Sequence, residues 1–241
     1  MSEVEEVQEA PEVQTPAIFG SYPQPELIRE VRGMWGAKGS GDTSGFTGLE
    51  KTEEFARPAV APYGGWFDDV VAALREDLES DGITDAIEKI VVENGQLVIF
   101  VKREHLRTVM QNLRDDQDLR FEMCLGVSAV HYPNSKGREL HGYYPLLSIT
   151  HNRFIAVETT CPEEDPHLPS VVSIYPGNDW FECEAWDLMG IIFDEHPGLV
   201  RMAMPDDWVG HPQRKDYPLG GVPVDYKGAV TPPSDTRREY N

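Results

Sequence analysis

Apolar residues recur at every third or fourth position in the region that follows residue 65. They comprise Phe67, Val70, Val71, Leu74 and Leu78. This spacing places the five side chains on one face of an amphipathic helix. A second run with the same period predicts another helix after residue 105. Its apolar face consists of Leu106, Val109, Met110 and Leu113.

Short apolar runs between and after these helices predict strands. Residues 87–92 and 96–101 flank Asn94-Gly95, a dipeptide that supplies the positive φ angles of a tight hairpin turn. Three further strands are predicted over residues 121–131, 139–150 and 152–159. A third helix is predicted from Asp179 to Met189, with Gly190 as its C-cap. The pattern therefore indicates an α+β fold, with helices packed on one face of a mainly antiparallel sheet.

Composition divides the chain into three parts. Residues 1–61 are an acidic and Gly-rich N-terminal extension, residues 62–204 the α+β domain, and residues 205–241 a Pro-rich C-terminal arm. Six prolines fall between Pro205 and Pro233, and proline removes the backbone donors that regular structure needs. We therefore expect extended arms at both ends of the domain.

The N-terminal extension itself contains two kinds of sequence. Residues 1–19 contain five Glu and no basic residue, which is typical of an unstructured tail. Residues 33–48 are rich in Gly and Ser but also contain Trp35 and Phe46. The two aromatic residues favour an extended segment anchored on another surface, with a plain flexible linker as the alternative.

The charge balance restricts the partners of the chain. Its 42 acidic and 21 basic residues give a net charge of −21. Such a surface repels nucleic acid and anionic lipid headgroups, so we expect no nucleic-acid binding. The longest apolar runs fall far short of the ~18 residues that a membrane-spanning helix needs, and the acidic start of the chain does not predict a signal peptide. Membrane contact is therefore expected only through a partner protein.

The sequence lacks the usual motifs for cofactors. Cys124, Cys161 and Cys183 are widely spaced and form no C-x-x-C pair, which argues against a disulfide framework and against an iron–sulfur cluster. The run from Gly36 to Thr43 imitates a phosphate-binding loop, but Asp42 stands where that loop has its lysine. We therefore expect no nucleotide, cluster or metal ion bound by this chain.

Acidic residues concentrate around the predicted third helix. Residues 162–208 contain eleven acids and one base, Arg201. Carboxylates near histidines can form a metal site or an acid–base pair, but Glu182 and Glu184 point about 200° apart on a helix and cannot share a ligand. We favour helix-end electrostatics and ion pairs with other proteins. The apolar side chains around these acids do not fit on one helix face, which indicates that a partner covers some of them.

Two blocks of this region carry a specific motif. The first runs Trp180-Phe-Glu182-Cys183-Glu184-Ala-Trp-Asp187-Leu-Met-Gly190-Ile-Ile-Phe193-Asp-Glu195-His196-Pro197-Gly-Leu199-Val-Arg201. The second runs Pro205-Asp-Asp-Trp208-Val-Gly210-His211-Pro-Gln213-Arg214-Lys215-Asp216-Tyr217-Pro-Leu219. In order and spacing they resemble the defining segments of the thirty-kilodalton subunit family, the C subunits of bacterial NADH-quinone oxidoreductase (respiratory complex I).

The chain departs from the family pattern at three positions. Cys183 stands where the family has an arginine between two glutamates, Glu195 where it has the glycine before His-Pro, and Gln213 where it has a leucine. A guanidinium pairs with carboxylates through a fork of five donors that a thiol does not have. A contact that the family makes through this arginine is therefore not carried over to this chain.

The resemblance implies a non-catalytic structural subunit of the peripheral arm of the oxidoreductase. Flavin and iron–sulfur clusters are expected in the partner subunits and not in this chain, whose isolated form is expected to have no activity. It would dock on the D subunit, near subunits B and I at the quinone-reducing end. There it would support electron transfer from NADH to quinone coupled to proton translocation. Its location would be the cell membrane, as a peripheral protein on the cytoplasmic side.

Nine polar residues of the two blocks are the candidate site residues, as structural or interface groups and not as catalytic, cofactor-binding or metal-binding ones. They are Glu182, Glu184, Asp187, His196 and Arg201 in the first block, and His211, Arg214, Lys215 and Asp216 in the second. Two alternatives stay open. One is the C subunit of a related membrane-bound hydrogenase or other dehydrogenase complex. The other is a free-standing metal-dependent hydrolase that uses the carboxylates and histidines.

Overall fold

The computed structural model describes residues 26–32 and 50–217, with side chains from Phe55 onward. The predictions for residues 1–19, 33–48 and 218–241 lie outside the described residues. Within the N-terminal extension, strand β1 (Glu26–Arg32) pairs antiparallel with strand β2 (Glu50–Phe55).

Three helices and eight strands follow along the described part of the domain. They are α1 (Trp66–Ser80), β3 (Ile87–Glu93), β4 (Gln96–Val101), α2 (Leu106–Asp115), β5 (Met123–Cys124), β6 (Ser128–His131), β7 (Leu140–Ser148), β8 (Arg153–Cys161), β9 (His167–Pro169), α3 (Asp179–Met189) and β10 (Ile192–Asp194). Single 3₁₀ turns at residues 103–105 and 176–178 lead into α2 and α3.

The central sheet has the strand order β3-β4-β8-β7-β5, and β6 also pairs with β7. All of its pairings are antiparallel except the one between β4 and β8. The α+β prediction with a mainly antiparallel sheet is therefore confirmed. Strands β3 and β4 meet at Asn94 and Gly95, whose φ angles of 51° and 75° are those of the predicted hairpin turn.

Helices α1 and α2 pack on one face of this sheet. All nine apolar residues predicted for the two helix faces are buried, with at most 3% of each exposed. Alternate residues of β7, including Leu140, Tyr144 and Leu146, join the same core, as the twofold side-chain period of a strand requires. The amphipathic pattern of the sequence thus determines which helix faces are buried.

Residues upstream of position 62 also contact the domain. The ring of Phe55 stacks on His141 at 5.7 Å between centroids and meets Tyr132 edge-on at 4.9 Å. The Ala59 N–H donates to the carbonyl of Ile90 at 2.7 Å. These contacts hold residues 55–61 along the domain.

One predicted strand is divided in the structure. The pattern over residues 121–131 predicts a single strand, but the chain forms β5 and β6, separated by residues 125–127. The ring of Phe181 from α3 lies 3.5 Å from the place that a Cβ on Gly126 would take. The prediction of a continuous strand is wrong because a helix distant in sequence packs over this point.

Helix α3 has the predicted bounds and the predicted end. Gly190 has a φ of 81°, and its N–H donates to the carbonyl of Trp186 at 2.9 Å. Beyond it, β10 pairs in parallel with β9, which brings the loop after β8 next to the segment after α3. The two motif blocks therefore lie around one helix.

Candidate functional site

The carboxylate of Asp187 organises the segment that follows α3. Its Oδ2 accepts the N–H groups of Met202, Ala203 and Met204 at 2.9, 2.8 and 3.0 Å, and its Oδ1 accepts Arg201 Nη1 at 2.6 Å. Asp187 is fully buried. Burial by itself raises the pKa of this carboxyl, but the donors of Met204, Arg201, Ala203 and Met202 together hold it below its ordinary value. Asp187 is therefore a charged group held by four donors.

The guanidinium of Arg201 connects α3 to the second motif block. Besides Asp187, it donates through Nη2 to the carbonyl of Trp208 at 2.7 Å. Its Cζ lies 5.6 Å from the centre of the Trp186 ring, within the range of a cation–π contact. Only 12% of the Arg201 side chain is exposed. Arg201, the one base of the acidic segment, therefore holds α3 and the residues around Trp208 together within the chain.

His211 closes the end of the helix. Its Nδ1 lies 3.0 Å from the carbonyl oxygen of Asp187, so this nitrogen carries the hydrogen and donates. A Cβ on Gly190 would come within 2.5 Å of the His211 ring. The N–H of Gln213 donates to the carbonyl of Leu188 at 3.1 Å. Glycine is required at position 190 both for its left-handed backbone and for this close approach.

A second polar cluster fixes residues 214–216. Arg214 Nη2 bonds to Glu163, and its Nε lies 3.5 Å from Asp216 Oδ1. The Lys215 N–H donates to Nδ1 of His131 at 3.0 Å. Burial lowers the pKa of His131, with Asp216 opposing and Arg214 assisting that shift. His131, Glu163 and Asp216 lie close enough to share a metal ion, but Nδ1 of His131 already accepts the Lys215 N–H, and Arg214 pairs with both carboxylates.

A third cluster joins the start of α3 to the His-Pro motif. His196 Nδ1 accepts the Gly198 N–H at 3.0 Å, so Nε2 carries the hydrogen and donates to Asp179 Oδ1 at 3.1 Å. Cys183 Sγ lies 3.9 Å from the same nitrogen and 3.6 Å from the Gly198 carbonyl. A metal on Nε2 would need the hydrogen on Nδ1, facing the Gly198 N–H. This geometry suits a structural contact and does not suit a metal site.

Glu182 is, like Asp187, a fully buried acid of the helix. Its Oε1 accepts the N–H of Val171 at 2.8 Å. Burial raises its pKa, although Ser170 and the Val171 N–H act in the opposite direction. The pKa of the enclosed Tyr144 is raised well above 10, first by burial and then by the charge of Glu182. Burial therefore disfavours the ionised form of both groups.

The opposite face of α3 lies open to solvent. Trp180 is 67% exposed and Phe181 40% exposed. Glu184 is exposed as well, beside a groove between α3 and β6. Its apolar walls include Ala129, Ala185, Leu188 and Met189. Large exposed apolar side chains beside a groove are typical of a protein–protein contact surface.

The nine candidate residues separate into two groups in the structure. Seven side chains make hydrogen bonds or ion pairs to other described residues: Glu182, Asp187, His196, Arg201, His211, Arg214 and Asp216. Within the described residues no such contact is found for the side chains of Glu184 and Lys215. Their interface role stays a prediction, and the carboxylates of α3 point in different directions, as the helical angle predicted.

Sequence reasoning missed the partners of these residues. Glu163, His131 and Asp179 each complete a cluster, but nothing in the local sequence distinguishes them from other polar residues. Only the one-to-eleven ratio of bases to acids in residues 162–208 gave a signal, since it made Arg201 the available counter-ion for a buried acid.

Comparison with known proteins agrees with the motif blocks. A profile described as "Respiratory-chain NADH dehydrogenase, 30 Kd subunit" matches residues 99–223. The C subunit of the NADH-quinone oxidoreductase of Streptomyces coelicolor is 57% identical over 218 residues, which cover 90% of this chain and 87% of that relative. The subunit of the same name from Mycolicibacterium gilvum is 57% identical over 217 residues, covering 90% and 96%.

Two solved structures also align with the chain. A trypsin-resistant fragment of Nqo5 gives a TM-score of 0.43 at 24% identity and covers 54% of this chain and 98% of the fragment. A chain of an archaeal membrane-bound sulfane sulfur reductase gives 0.49 at 19% identity, covering 69% and 100%. In residues 26–32 and 50–217, no helix has the length and apolarity needed to cross a membrane. From the profile and the relatives, the chain belongs to the 30 Kd subunit family of respiratory-chain NADH dehydrogenase, whose members are subunits of an oxidoreductase complex.

Proposed function

We propose that this chain is a structural, non-catalytic subunit of the peripheral arm of NADH-quinone oxidoreductase. It docks on the D subunit, near subunits B and I at the quinone-reducing end. It supports electron transfer from NADH to quinone, coupled to proton translocation, by holding that end of the arm together. Flavin and iron–sulfur clusters are carried by the partner subunits, and the chain is peripheral on the cytoplasmic side of the membrane.

The observation that carries this proposal is the division of α3 into two faces. The inward face makes its contacts within the chain, through Asp187, Glu182 and Cys183. The outward face presents Trp180 and Phe181 to solvent. Aromatic residues exposed side by side are the usual anchors of a protein interface.

The chemistry of the polar clusters supports a structural role. Each histidine of the motif blocks has a lone pair or hydrogen engaged by a backbone group, and Arg214 is paired with Glu163. The cysteines lie on three separate elements, with Cys124 on β5, Cys161 on β8 and Cys183 on α3. Groups engaged in this way hold loops in place and are poorly suited to proton transfer or metal binding.

A pull-down tests the proposal. The tagged chain is purified from gently solubilised membranes, and the accompanying polypeptides are identified by mass spectrometry. We expect the other peripheral subunits, with the D subunit in the highest yield. Trp180→Ala should lower this yield at least about tenfold, because loss of a central aromatic anchor that contributes about 2 kcal/mol weakens association about thirtyfold.

Ile149→Ala is the matched control, since Ile149 is also 67% exposed but lies in the turn after β7. It should leave the yield within about twofold. Absence of the D subunit from the wild-type preparation, or equal effects of the two substitutions, would contradict docking through α3.

A further inference from the structure

Glu184 is a carboxylate without a counter-ion in the described structure. It lies on the exposed face of α3, between Phe181 and Leu188 in helical position. Among residues 55–217, its side chain has no hydrogen bond and no ion pair. Of its neighbours on the helix, Asp187 is held by Arg201 and three backbone N–H groups, and the buried Glu182 accepts the Val171 N–H through Oε1. Glu184 is therefore the one acid of α3 within these residues that is free to meet another molecule.

The groove beside Glu184 has both apolar and polar walls. Ala129 of β6 and Ala185, Leu188 and Met189 of α3 provide apolar atoms, and Ser128, Glu184 and Gln213 provide polar ones. Its empty space, counted out into open solvent, is about 430 Å³. The space accommodates one long side chain. It does not accommodate a helix.

Exposed apolar residues lie on the same helix face as Glu184. Trp180 and Phe181 precede Glu184 by one helical turn, and the Phe181 ring packs on Gly126, next in sequence to Leu125, which is 42% exposed. A protein that covers these anchors also covers the groove, so Glu184 loses its water when the contact forms. A carboxylate that is desolvated without a compensating charge strongly opposes association.

A long cationic side chain on the partner can cover the apolar surface and also neutralise the desolvated Glu184. Lysine and arginine lay their methylene stems along apolar surface while the charged head stays at the polar end. The stem matches Ala185 and Leu188, and the head reaches Glu184. The net charge of −21 of the chain attracts a basic surface and repels an acidic one. An apolar side chain would fill the groove but leave Glu184 unpaired.

We propose that the groove between α3 and β6 receives one lysine or arginine side chain of a neighbouring subunit, paired with Glu184. This proposal rests on the proposed function, because it requires a subunit that covers the outward face of α3. It adds the element that selects the partner: a single basic side chain at a fixed distance from an apolar patch.

The experiment compares tagged chains with Glu184→Lys, Glu184→Gln and Glu79→Lys in membranes at physiological ionic strength. Glu79 is an exposed residue of α1 and controls for the change in net charge. We expect Glu184→Lys to lower the yield of accompanying subunits by at least about tenfold, because two like charges meet in the groove. Glu184→Gln should lower it about threefold, and Glu79→Lys should stay within about twofold.

The isolated full-length variants identify the occupant. For Glu184→Lys, we expect an unchanged melting temperature and an unchanged sedimentation coefficient, because the partner is absent. A lower melting temperature would assign the groove to a basic residue of the chain itself, such as Lys38, Lys227 or Arg237. A change in sedimentation would assign it to a second copy. Either result overturns the proposal.

The yields separate this proposal from the proposed function. Wild-type yield for Glu184→Lys overturns only the basic side chain in the groove, while docking of the chain still stands. A wild-type chain that brings no subunit of the oxidoreductase overturns both. The pairing is supported if Glu184→Lys lowers the yield of accompanying subunits while Glu79→Lys does not. The isolated Glu184→Lys chain must also keep the melting temperature and sedimentation coefficient of the wild type.

Discussion

Arg201 and Asp187 form an ion pair that is almost completely withdrawn from solvent. Nη1 and Oδ1 are 2.6 Å apart, and the two side chains are 12% and 0% exposed. The pair lies between α3 and a loop that contains no helix or strand. It fixes Arg201 on α3, and Arg201 in turn holds the second motif block through its hydrogen bond to the Trp208 carbonyl.

We expect Arg201→Leu to lower the free energy of unfolding by about 3 kcal/mol, since removal of one partner leaves the other charge buried. Urea denaturation of the isolated chain measures this loss. Arg107→Leu is the control, because Arg107 forms an exposed ion pair with Glu195 in which the side chains are 41% and 72% exposed. It should cost less than about 1 kcal/mol. Equal losses would mean that burial of the Asp187 charge has little importance for stability.

Gly190→Ala should destabilise the chain more than Gly82→Ala. Both glycines have positive φ angles, of 81° and 77°, so each alanine should cost about 1–2 kcal/mol in backbone strain. At Gly82 nothing lies within 4 Å of the added Cβ, whereas at Gly190 the His211 ring would lie 2.5 Å away. The displaced ring should also release residues 205–217, so limited proteolysis should cut there in Gly190→Ala only. Equal stability and equal cleavage of the two variants would contradict this packing.

The buried acid Glu182 should make stability depend on pH. Its folded-state pKa is raised above the ordinary value of 4.5, so the proton binds more tightly in the folded chain. The resulting stability is fully present below about pH 4 and is lost as the pH rises through the folded pKa, by about 1.4 kcal/mol for each unit between the two pKa values. Glu182→Gln, which resembles the neutral acid, should therefore gain stability relative to the wild type as the pH rises from about 4 towards the folded pKa.

Denaturation curves at several pH values check this expectation. Glu184→Gln on the exposed face of the same helix is the control and should change the free energy of unfolding by less than about 0.5 kcal/mol. A constant difference between Glu182→Gln and the wild type across the pH range would show that Glu182 is ionised in the folded protein.

Truncation distinguishes residues that complete the domain from residues that serve assembly. A chain ending at Leu199 lacks all four donors of Asp187. Its free energy of unfolding should be lower than that of the full chain by at least about 3 kcal/mol. A chain ending at Tyr217 keeps the four donors and should retain cooperative thermal unfolding, measured by circular dichroism. If residues 218–241 wrap a neighbour, this longer chain should fold but accompany fewer oxidoreductase subunits. Equal folding of both truncated chains would show that residues 200–217 are dispensable.

Local signals in the sequence predicted the elements, and non-local contacts account for the differences. Asn94-Gly95 and Gly190 determine a turn and a helix end through their own backbone preferences, and both predictions are confirmed. The break at Gly126 was not predictable, because it depends on Phe181, which lies 55 residues further along the chain.

The polar clusters show the same limit. His131 accepts a hydrogen bond from a residue 84 positions away, and no periodicity encodes such a pairing. The motif blocks gave candidate residues but not their partners. Arg201, expected to be a structural or interface group, and Arg214, expected to dock the C-terminal arm, pair with Asp187 and Glu163 of their own chain.

The saturation of Asp187 by residues 201–204 also has a consequence for synthesis. Helix α3 cannot bury the Asp187 carboxylate without its donors. We therefore expect α3 to pack on the core only after residues 201–204 have left the ribosome. Most of the sheet can form earlier, since domains acquire structure from the N-terminal side as they emerge. We therefore expect the closing of this short loop over the carboxylate to follow the formation of the sheet.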